Sequence, residues 1–357
     1  MNLQDLGYNN ELENLRRELN LQDYEIGRVI AEHRERYIVK TEEEETEAEI
    51  TGNLRFSASG REDFPAVGDW VALMLFEGGP AIIHKVLPRL SVIKRQMAGQ
   101  RGEVQVIAAN IDTAFLVQAV DRDFNINRLE RYLTISHTSK VSPVIVLTKT
   151  DLIDEHRLAE IIARIRQRIP GVPLIAVSNQ TQNGYNDLRS LIQKAKTYCM
   201  LGSSGVGKST LLNNLSGRDQ MKTDAISKSS NRGRHVTTHR ELIVLESGGI
   251  LIDNPGMREV GIADASGGLE TTFDDIVRIS QDCKYKDCTH TNETGCALLE
   301  AVEKGDIDQD SHENYLKMEK EKEHFESTIA EKRRKDKDFG KMVKNVKKDI
   351  KRYKSNR

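Results

Sequence analysis

The pattern of apolar and polar residues changes twice along the chain and divides it into three parts. From about 24 to 95, short apolar runs are separated by Gly, Pro and polar turns, which predicts about five strands: IGRVIAEH, RYIVKT, EAEITGNLRFSA, DWVALMLF and AIIHKVL. Strands at this spacing favour a small closed sheet of the OB-like or SH3-like type, because closure protects the edges. This segment alone favours nucleic-acid binding no more than a purely structural role.

Leucines at helical spacing, Leu12, Leu15 and Leu19, precede these strands and predict a short amphipathic helix over 9–21. After Gln105, apolar strands alternate with amphipathic helices, which is typical of parallel βαβ units. We therefore predict a doubly wound α/β domain that ends near residue 270. Its candidate strands are VQVIAA, TAFLVQAV, VIVLT, PLIAV, TYCML, ELIVLE and GILID, and its candidate helices span about 127–138, 155–169, 185–196 and 208–216.

From Thr271 onward the pattern is helical without strands, is interrupted by a Cys/His cluster, and ends in a long charged helix.

A chain of 357 residues exceeds what one hydrophobic core usually organises, which predicts two or three domains. Apolar residues at 38% and a mean hydropathy of −0.55 indicate a soluble globular protein. No apolar run approaches the length of a membrane helix, and the first residues have no apolar signal core, so we expect a cytoplasmic protein.

Charge is balanced overall at −2 but is unevenly distributed. Residues 42–49 hold six glutamates, and residues 331–357 hold thirteen Lys or Arg against four acids, a net +9. A terminal stretch with mostly positive charge favours binding to a polyanionic partner over a passive solubilising role. It also favours contact with nucleic-acid phosphates over recognition of bases.

The segment GSSGVGKST follows a predicted strand, precedes a predicted helix and matches the phosphate-loop pattern G-x-x-x-x-G-K-[ST]. Glycines let the backbone curl around a phosphate so that successive N–H groups point inward. A lysine reaches the β- and γ-phosphates, and a serine hydroxyl is a ligand for Mg²⁺. The predicted nucleotide-binding residues here are Gly202, Ser203, Ser204, Gly205, Val206, Gly207, Lys208, Ser209 and Thr210.

Three further elements have the composition of a guanine-nucleotide site. Asp253 ends an apolar strand and is followed by Gly256, so its carboxylate is placed to hold Mg²⁺ through water and the glycine N–H to contact a γ-phosphate. Thr148, Lys149 and Asp151 end another strand and resemble the N/T-K-x-D motif of GTPases, in which the carboxylate accepts from two guanine N–H groups. Ser178 ends a third strand and resembles the loop that supports guanine.

The order of these elements is unusual, because the base-binding elements at 148 and 178 precede the phosphate loop at 202 and the aspartate at 253. Ordinary GTPases have the reverse order. A doubly wound sheet tolerates such a cut, since the new termini fall at surface connections and the strand order in space is kept. A circularly permuted GTPase ends just after the 253 loop, so we expect a further domain downstream that anchors this segment.

That downstream part contains a Cys₃His set, Cys283, Cys288, His290 and Cys296, within fourteen residues. Three thiols and an imidazole can surround Zn²⁺ tetrahedrally, and a closed set of four ligands favours a structural ion over a catalytic one. Cys199 lies inside a predicted strand, so we interpret it as a core residue.

The chain resembles the circularly permuted ribosome small subunit-dependent GTPase A family (RsgA, also called YjeQ). The resemblance covers nearly the whole chain and rests on the permuted motif order, the Cys₃His spacing, and the segments PAVGDWV (65–71), GRHVTTHREL (233–242) and DNPGMRE (253–259). It implies a multidomain α/β fold: a helical extension (1–22), an OB-fold domain (23–95), a permuted GTPase domain (96–270) and a zinc-binding domain with a basic terminal helix (271–357).

The resemblance also implies a function: binding of the small ribosomal subunit and its rRNA during late maturation, with GTP hydrolysed to GDP on the docked protein. The implied cofactors are GTP, Mg²⁺ and one Zn²⁺, and we expect a monomer that does not engage membranes. In the family's switch, Thr237 or Thr238 closes over Mg²⁺ and the γ-phosphate. Met257 stands where many GTPases have a water-orienting glutamine, and the resemblance suggests that His235 takes over this role. The alternative is that His235 is a surface-loop histidine that contacts RNA phosphate or has no partner.

Two alternatives of other classes stay open at this point. In the first, the chain is an assembly chaperone whose nucleotide gates its affinity for RNA while hydrolysis is incidental, although an intact Lys208, Ser209 and Asp253 set weighs against a dead enzyme. In the second, it is an ATP-using kinase, which would tolerate loss of the Asp151 carboxylate.

Overall fold

The computed structural model describes residues 1–33, 36–96, 104–121, 124–217, 241–253 and 267–327, together with residues 331 and 334. Two short elements precede the sheets, a 3₁₀ turn at Gln4–Leu6 and helix α1 at Asn10–Glu18. The Asn9 side chain caps α1 by accepting from the Leu12 amide at 3.0 Å. Leu6 and Leu12 are buried against Trp70 of the following domain, so the extension covers one end of that domain.

Five strands form a closed barrel of the OB-like type, as the sequence predicts. They are β1 (Glu25–His33), β2 (Arg36–Lys40), β3 (Glu45–Ile50), β4 (Trp70–Met74) and β5 (Ala81–Val86). Their order is β1-β2-β3-β5-β4, and β4 pairs back with β1 from Leu73 opposite Glu25 to Trp70 opposite Arg28. This pairing closes the sheet, so neither β1 nor β4 has a free edge.

One barrel segment differs from the prediction of a continuous strand over 47–58. The strand ends at Ile50, and Gly52–Ser57 forms helix α2. Thr51 provides the reason, since its hydroxyl accepts from the Leu54 amide at 3.1 Å and caps the first turn.

The predicted strand 104–109 forms, but its place in the parallel sheet was predicted wrongly. It is β7 (Val104–Ala109), which pairs antiparallel with β6 (Val92–Gln96) in a separate two-stranded sheet. Periodicity identifies a buried strand without identifying its neighbour, and β6 lies close to β7 along the chain.

The main sheet of the central domain is built from β8 (Thr113–Ala119), β9 (Ser142–Thr148), β10 (Leu174–Ala176), β11 (Thr197–Leu201), β12 (Glu241–Val244) and β13 (Ile250–Asp253). These strands run in the order β10-β9-β8-β11-β13-β12. Neighbours within this domain are parallel except β12 and β13, and β12 also pairs antiparallel with β1 of the barrel, where Glu241 lies opposite Ala31. Apolar clusters cover both faces of the sheet, as expected for a doubly wound domain.

Four helices of this domain occur near their predicted positions, α3 (Ile126–Thr138), α4 (Glu155–Arg168), α5 (Tyr185–Ser190) and α6 (Lys208–Ser216). The third is shorter than the predicted 185–196. In space β11 lies beside β8, although two strands and three helices separate them along the chain. This crossover places the phosphate loop after β11 at the centre of the carboxyl edge of the sheet, where doubly wound proteins bind ligands.

Beyond residue 266 the described part of the chain contains helices and no strand: α7 (Gly268–Thr272), α8 (Asp274–Ser280), α9 (Ala297–Lys304) and a C-terminal helix over 309–327. They enclose a small core around Leu298 and Met318. The module packs closely on α3, since a Cβ added to Gly268 would lie 2.0 Å from Thr138 Oγ1. Within the described residues, no helix is both long and apolar enough to span a bilayer.

Buried and partly buried polar contacts attach this module to the central domain. The Glu130 carboxylate on α3 is 2% exposed and accepts from Arg168 on α4 at 2.7 Å and from Asn314 of the C-terminal helix at 2.7 Å. Arg131 makes a two-pronged bond to Glu321, with both N···O distances at 2.7 Å. Burial raises the pKa of Glu130 above its usual value, and Arg168 opposes this effect.

Candidate nucleotide and metal sites

The phosphate loop connects the buried strand β11 to α6 and depends on its glycines. Gly205 and Gly207 have φ angles of 83° and 95°, a region that strongly favours glycine. Gly202 is required for a different reason, because a Cβ there would lie 2.4 Å from the Val117 carbonyl oxygen of the neighbouring strand. The loop backbone can therefore curl around a ligand directly above the sheet.

Lys208 begins α6 and bends back over the loop. Its Nζ donates to the carbonyl oxygens of Gly202 at 2.7 Å and Ser203 at 2.6 Å. Ser209 and Thr210 lie in the first turn of α6 and are half-buried, as is Ser204, whereas Val206 is buried. The predicted loop residues are thus gathered at a helix N-terminus, where backbone amides and the helix dipole favour a phosphate.

Thr148 holds the phosphate loop from the side of β9. Its hydroxyl is fully buried and donates to the Val206 carbonyl at 2.6 Å. A hydroxyl cannot make both hydrogen bonds of the commoner asparagine. Asn179 makes a second bond to the loop, since its Nδ2 donates to the Gly207 carbonyl at 3.0 Å.

The sequence prediction missed Asn179, although it directly follows the predicted Ser178. Its side chain is fixed by Tyr185, whose hydroxyl donates to Asn179 Oδ1 at 2.7 Å. Burial raises the pKa of Tyr185 to about 12, so this hydroxyl keeps its proton throughout the neutral range. Asn214 of α6 donates to both the Tyr185 hydroxyl and the Asn179 carbonyl. The signal for this role was weak, since an asparagine after a strand usually belongs to a turn.

The predicted base-binding residues lie at the ends of β9 and β10. Asp151 is exposed, and its Oδ1 accepts from the buried Ser178 hydroxyl at 2.6 Å. The same hydroxyl accepts from the amides of Gln180 and Thr181 at 3.2 and 3.1 Å. Lys149 adopts a left-handed backbone conformation, and its Nζ donates to Asp121 Oδ2 at 2.8 Å. One carboxylate is therefore oriented toward solvent beside a lysine stem and the phosphate loop.

Asp253 ends β13, which pairs in parallel with β11, so it lies at the same edge of the sheet as the phosphate loop. This position is the one expected for an acid that holds Mg²⁺. The predicted Gly256, His235, Thr237 and Thr238 fall outside the described residues, as does nearly all of the basic tail.

The Cys₃His set converges as the sequence predicts. The ligand atoms of Cys283, Cys288, His290 and Cys296 all lie within 4.8 Å of one another. His290 Nδ1 is 3.5 Å from the sulfurs of Cys283 and Cys296, which are 3.9 Å apart. Tetrahedral Zn²⁺ with bonds of about 2.3 Å to sulfur and about 2.0 Å to nitrogen needs edges of about 3.5 to 3.8 Å. The set therefore fits this ion.

The local structure holds these ligands in place. Cys296 caps α9, and its sulfur accepts from the Leu299 amide at 3.5 Å. Between the ligands, the Glu293 carboxylate accepts from the Thr289 hydroxyl and from the amides of Thr289, Thr291 and Asn292. These donors hold the pKa of Glu293 well below its usual range, so the carboxylate that braces the loop stays ionised.

Comparison with known proteins identifies the family. The model described as RsgA GTPase matches residues 86–263. The chain is 44% identical to the small ribosomal subunit biogenesis GTPase RsgA 2 of Lactiplantibacillus plantarum over 83% of each chain. It is 37% identical to RsgA 1 of Bacteroides thetaiotaomicron over 97% of each chain. The chain belongs to the RsgA GTPase family.

Solved structures agree with this assignment. The crystal structure of YjeQ from Thermotoga maritima is 26% identical, with a TM-score of 0.61 over 85% of this chain and 98% of that one. YloQ, titled a circularly permuted GTPase, is 26% identical, with a TM-score of 0.60 over 84% of this chain and 95% of that one. A model described as ABC transporter also matches, over 185–351. It overlaps the first match at the phosphate loop, a motif common to many nucleotide hydrolases.

Membership confirms the permuted GTPase fold inferred from motif order and the prediction that the chain hydrolyses GTP. GTP and Mg²⁺ are accordingly its nucleotide and its divalent ion, and the Cys₃His cluster suits a structural Zn²⁺.

Proposed function

We propose that this GTPase binds the small ribosomal subunit and its rRNA, assists late maturation of that subunit, and hydrolyses GTP faster when docked. The names of the relatives, small ribosomal subunit biogenesis GTPases, support the partner, and the basic stretch 331–357 supports contact with a polyanion. The observation that carries the proposal is the Ser178–Asp151 bond at 2.6 Å, because it presents a fixed carboxylate beside a phosphate loop, as recognition of guanine requires.

We also propose that the chain is divided into four segments: a helical extension (1–22), an OB-fold domain (23–95), a GTPase domain (96–270) and a zinc-binding domain (271–357). The continuous apolar core of the described helices beyond 266 supports the last boundary. The chain acts as a cytoplasmic monomer without a membrane partner.

Within the GTPase domain, each residue of the site has a proposed role. Asp151 accepts from the guanine ring N–H and exocyclic amine, Ser178 orients it, and Lys149 covers the base plane. The loop amides from Gly202 to Thr210 surround the β-phosphate. Lys208 leaves its two carbonyl partners and neutralises charge between the β- and γ-phosphates, which stabilises the diphosphate leaving group.

The hydroxyl of Ser209 and the carboxylate of Asp253 would hold Mg²⁺, which supplies charge neutralisation at the phosphates. Thr237 or Thr238 and the Gly256 amide would contact the γ-phosphate side, and His235 would position the attacking water. Cys283, Cys288, His290 and Cys296 would hold the zinc that stabilises the downstream module.

The test is GTP turnover by the full chain with and without purified small subunits, combined with co-sedimentation in the presence of a non-hydrolysable GTP analogue. We expect slow intrinsic turnover, strong stimulation by the subunit, and loss of turnover in Lys208→Ala. Equal rates with and without subunits would refute stimulation. If Lys208→Ala still supported subunit maturation, nucleotide would act only as a gate for RNA affinity.

A further inference from the structure

The ion pair between Lys149 and Asp121 lies at the base side of the nucleotide site and has no role in the proposed function so far. Lys149 Nζ and Asp121 Oδ2 are 2.8 Å apart, and each side chain is 22% exposed. The two residues are 28 positions apart in the chain, at the ends of the neighbouring parallel strands β8 and β9.

The backbone on both sides of this pair is fixed. Ala119 of β8 is paired with Thr148 of β9, and the Val120 amide donates to the Thr148 carbonyl at 3.0 Å. Asp121 is therefore the first residue after the hydrogen bonds between β8 and β9 end. Its carbonyl accepts from the Phe124 amide in a turn. Lys149 has a φ of 60°, an uncommon conformation for a residue with a Cβ, which turns the chain between Thr148 and Asp151.

A lysine stem has four rotatable bonds, and ordering it on a ligand costs conformational entropy. Here the ammonium is already held at its far end by Asp121, so the methylene stem is ordered before a base arrives. A partly exposed ion pair contributes little to folding stability. Its effect is instead expected in nucleotide binding, where an ordered apolar stem offers a ready surface to a purine ring.

We propose that Asp121 is a positioning residue for guanine nucleotides, which holds Lys149 so that its stem covers the base while Asp151 reads the base edge. The inference rests on the proposed function, because it assumes that a guanine base lies beside Asp151. Asp121 would act through Lys149 and not on the phosphates or the base edge, so its removal should weaken only the contact with the base.

The variant is Asp121→Ala in the full chain, with Asp121→Glu as the conservative rescue. Glu62→Ala is the matched control, because it removes an ion pair of 2.9 Å to Lys94 in a part-exposed setting outside the base site. Calorimetry or competition measures the affinities for three ligands: GDP, IDP and inorganic diphosphate. IDP lacks the exocyclic amine, and diphosphate would occupy only the phosphate loop.

We expect Asp121→Ala to weaken GDP and IDP about three- to ten-fold, the cost of ordering one long side chain. The ratio of GDP to IDP affinity should stay unchanged, since Asp151 still reads the edge. Diphosphate binding and the midpoint of thermal unfolding without nucleotide should also be unchanged. Asp121→Glu should recover most of the GDP affinity, and Glu62→Ala should match the unaltered protein.

Unchanged GDP affinity in Asp121→Ala would overturn the inference, and so would an equal loss for diphosphate, which would indicate general damage to the loop. If Asp121→Ala failed to fold, Asp121→Asn would be measured in its place against the same outcomes. Absence of guanosine-nucleotide binding by the unaltered protein would instead refute the proposed function, so the two failures are distinguishable.

Discussion

The Ser178 hydroxyl donates a 2.6 Å hydrogen bond to Asp151 Oδ1 and thereby joins the loops that follow two neighbouring parallel strands. Because Ser178 is buried and Asp151 is exposed, a rigid group orients a solvent-facing carboxylate. The carboxylate proposed to read guanine is thus positioned by the sheet before any nucleotide binds.

Replacement of Ser178 by alanine should free the Asp151 carboxylate to rotate and leave the amides of Gln180 and Thr181 without their acceptor. We expect GDP to bind about ten-fold more weakly, the effect of one hydrogen bond to a charged group. The preference for GDP over IDP should fall as well. Titration calorimetry measures both. Ser190→Ala, which removes an exposed serine bond to the Asp187 carbonyl, serves as the control, and equal affinities in the two variants would contradict the assigned role.

The Thr148 hydroxyl should be needed for the shape of the phosphate loop. Thr148→Val keeps the side-chain shape but leaves the buried Val206 carbonyl without this donor, which costs about 1–3 kcal/mol. We expect lower stability in urea unfolding and weaker binding of GDP. Thr148→Ser retains the hydroxyl and should keep most of the affinity. If valine and serine behaved alike, the 2.6 Å bond would have no part in nucleotide binding.

Zinc binding should depend on the Cys₃His set and not on Cys199, the cysteine outside that set. In Cys288→Ser we expect the zinc content, measured by atomic absorption after chelator dialysis, to fall from near one per chain to near zero. Cys199→Ala is the control, because Cys199 is buried in β11 and burial raises the pKa of its thiol. It should retain the full zinc content. Zinc retained by Cys288→Ser would contradict the assignment.

Arg168 should be essential for attachment of the C-terminal module. Arg168→Met removes the main ionic partner of Glu130, and an uncompensated buried carboxylate costs about 3–5 kcal/mol at neutral pH. Burial already raises the pKa of Glu130, and loss of Arg168 should raise it further.

When the pKa of an acid is higher in the folded state than in the unfolded state, the protein loses stability as the pH rises from the unfolded pKa to the folded pKa. The deficit of Arg168→Met in the free energy of unfolding should therefore be small near pH 4, below the usual glutamate pKa, and should grow toward pH 8. Denaturant unfolding across this range measures it. Arg157→Met on the same helix breaks an exposed pair with Glu160 and should cost less than about 1 kcal/mol at every pH. A deficit that did not grow with pH would argue against a buried carboxylate as its cause.

Much of the site could be predicted from the chain because its chemistry is local in sequence. The phosphate loop, the Cys₃His spacing and the strand-ending residues Thr148, Asp151 and Asp253 each occupy a few consecutive positions beside an apolar run. The permuted order was also readable, since it is a property of the chain itself. Periodicity predicted the barrel strands and most helices for the same reason, because amphipathic spacing reflects one buried face.

What the tertiary structure decided are the contacts between residues distant in the chain. Strand β7 pairs with β6 instead of joining the parallel sheet, Asn179 reaches Gly207, and Asp121 meets Lys149 across 28 positions. Glu130 likewise contacts Asn314, which lies 184 positions further along the chain. Spacing rules cannot find such partners, because the energy of each contact depends on which strands and helices become neighbours only after the whole sheet has formed.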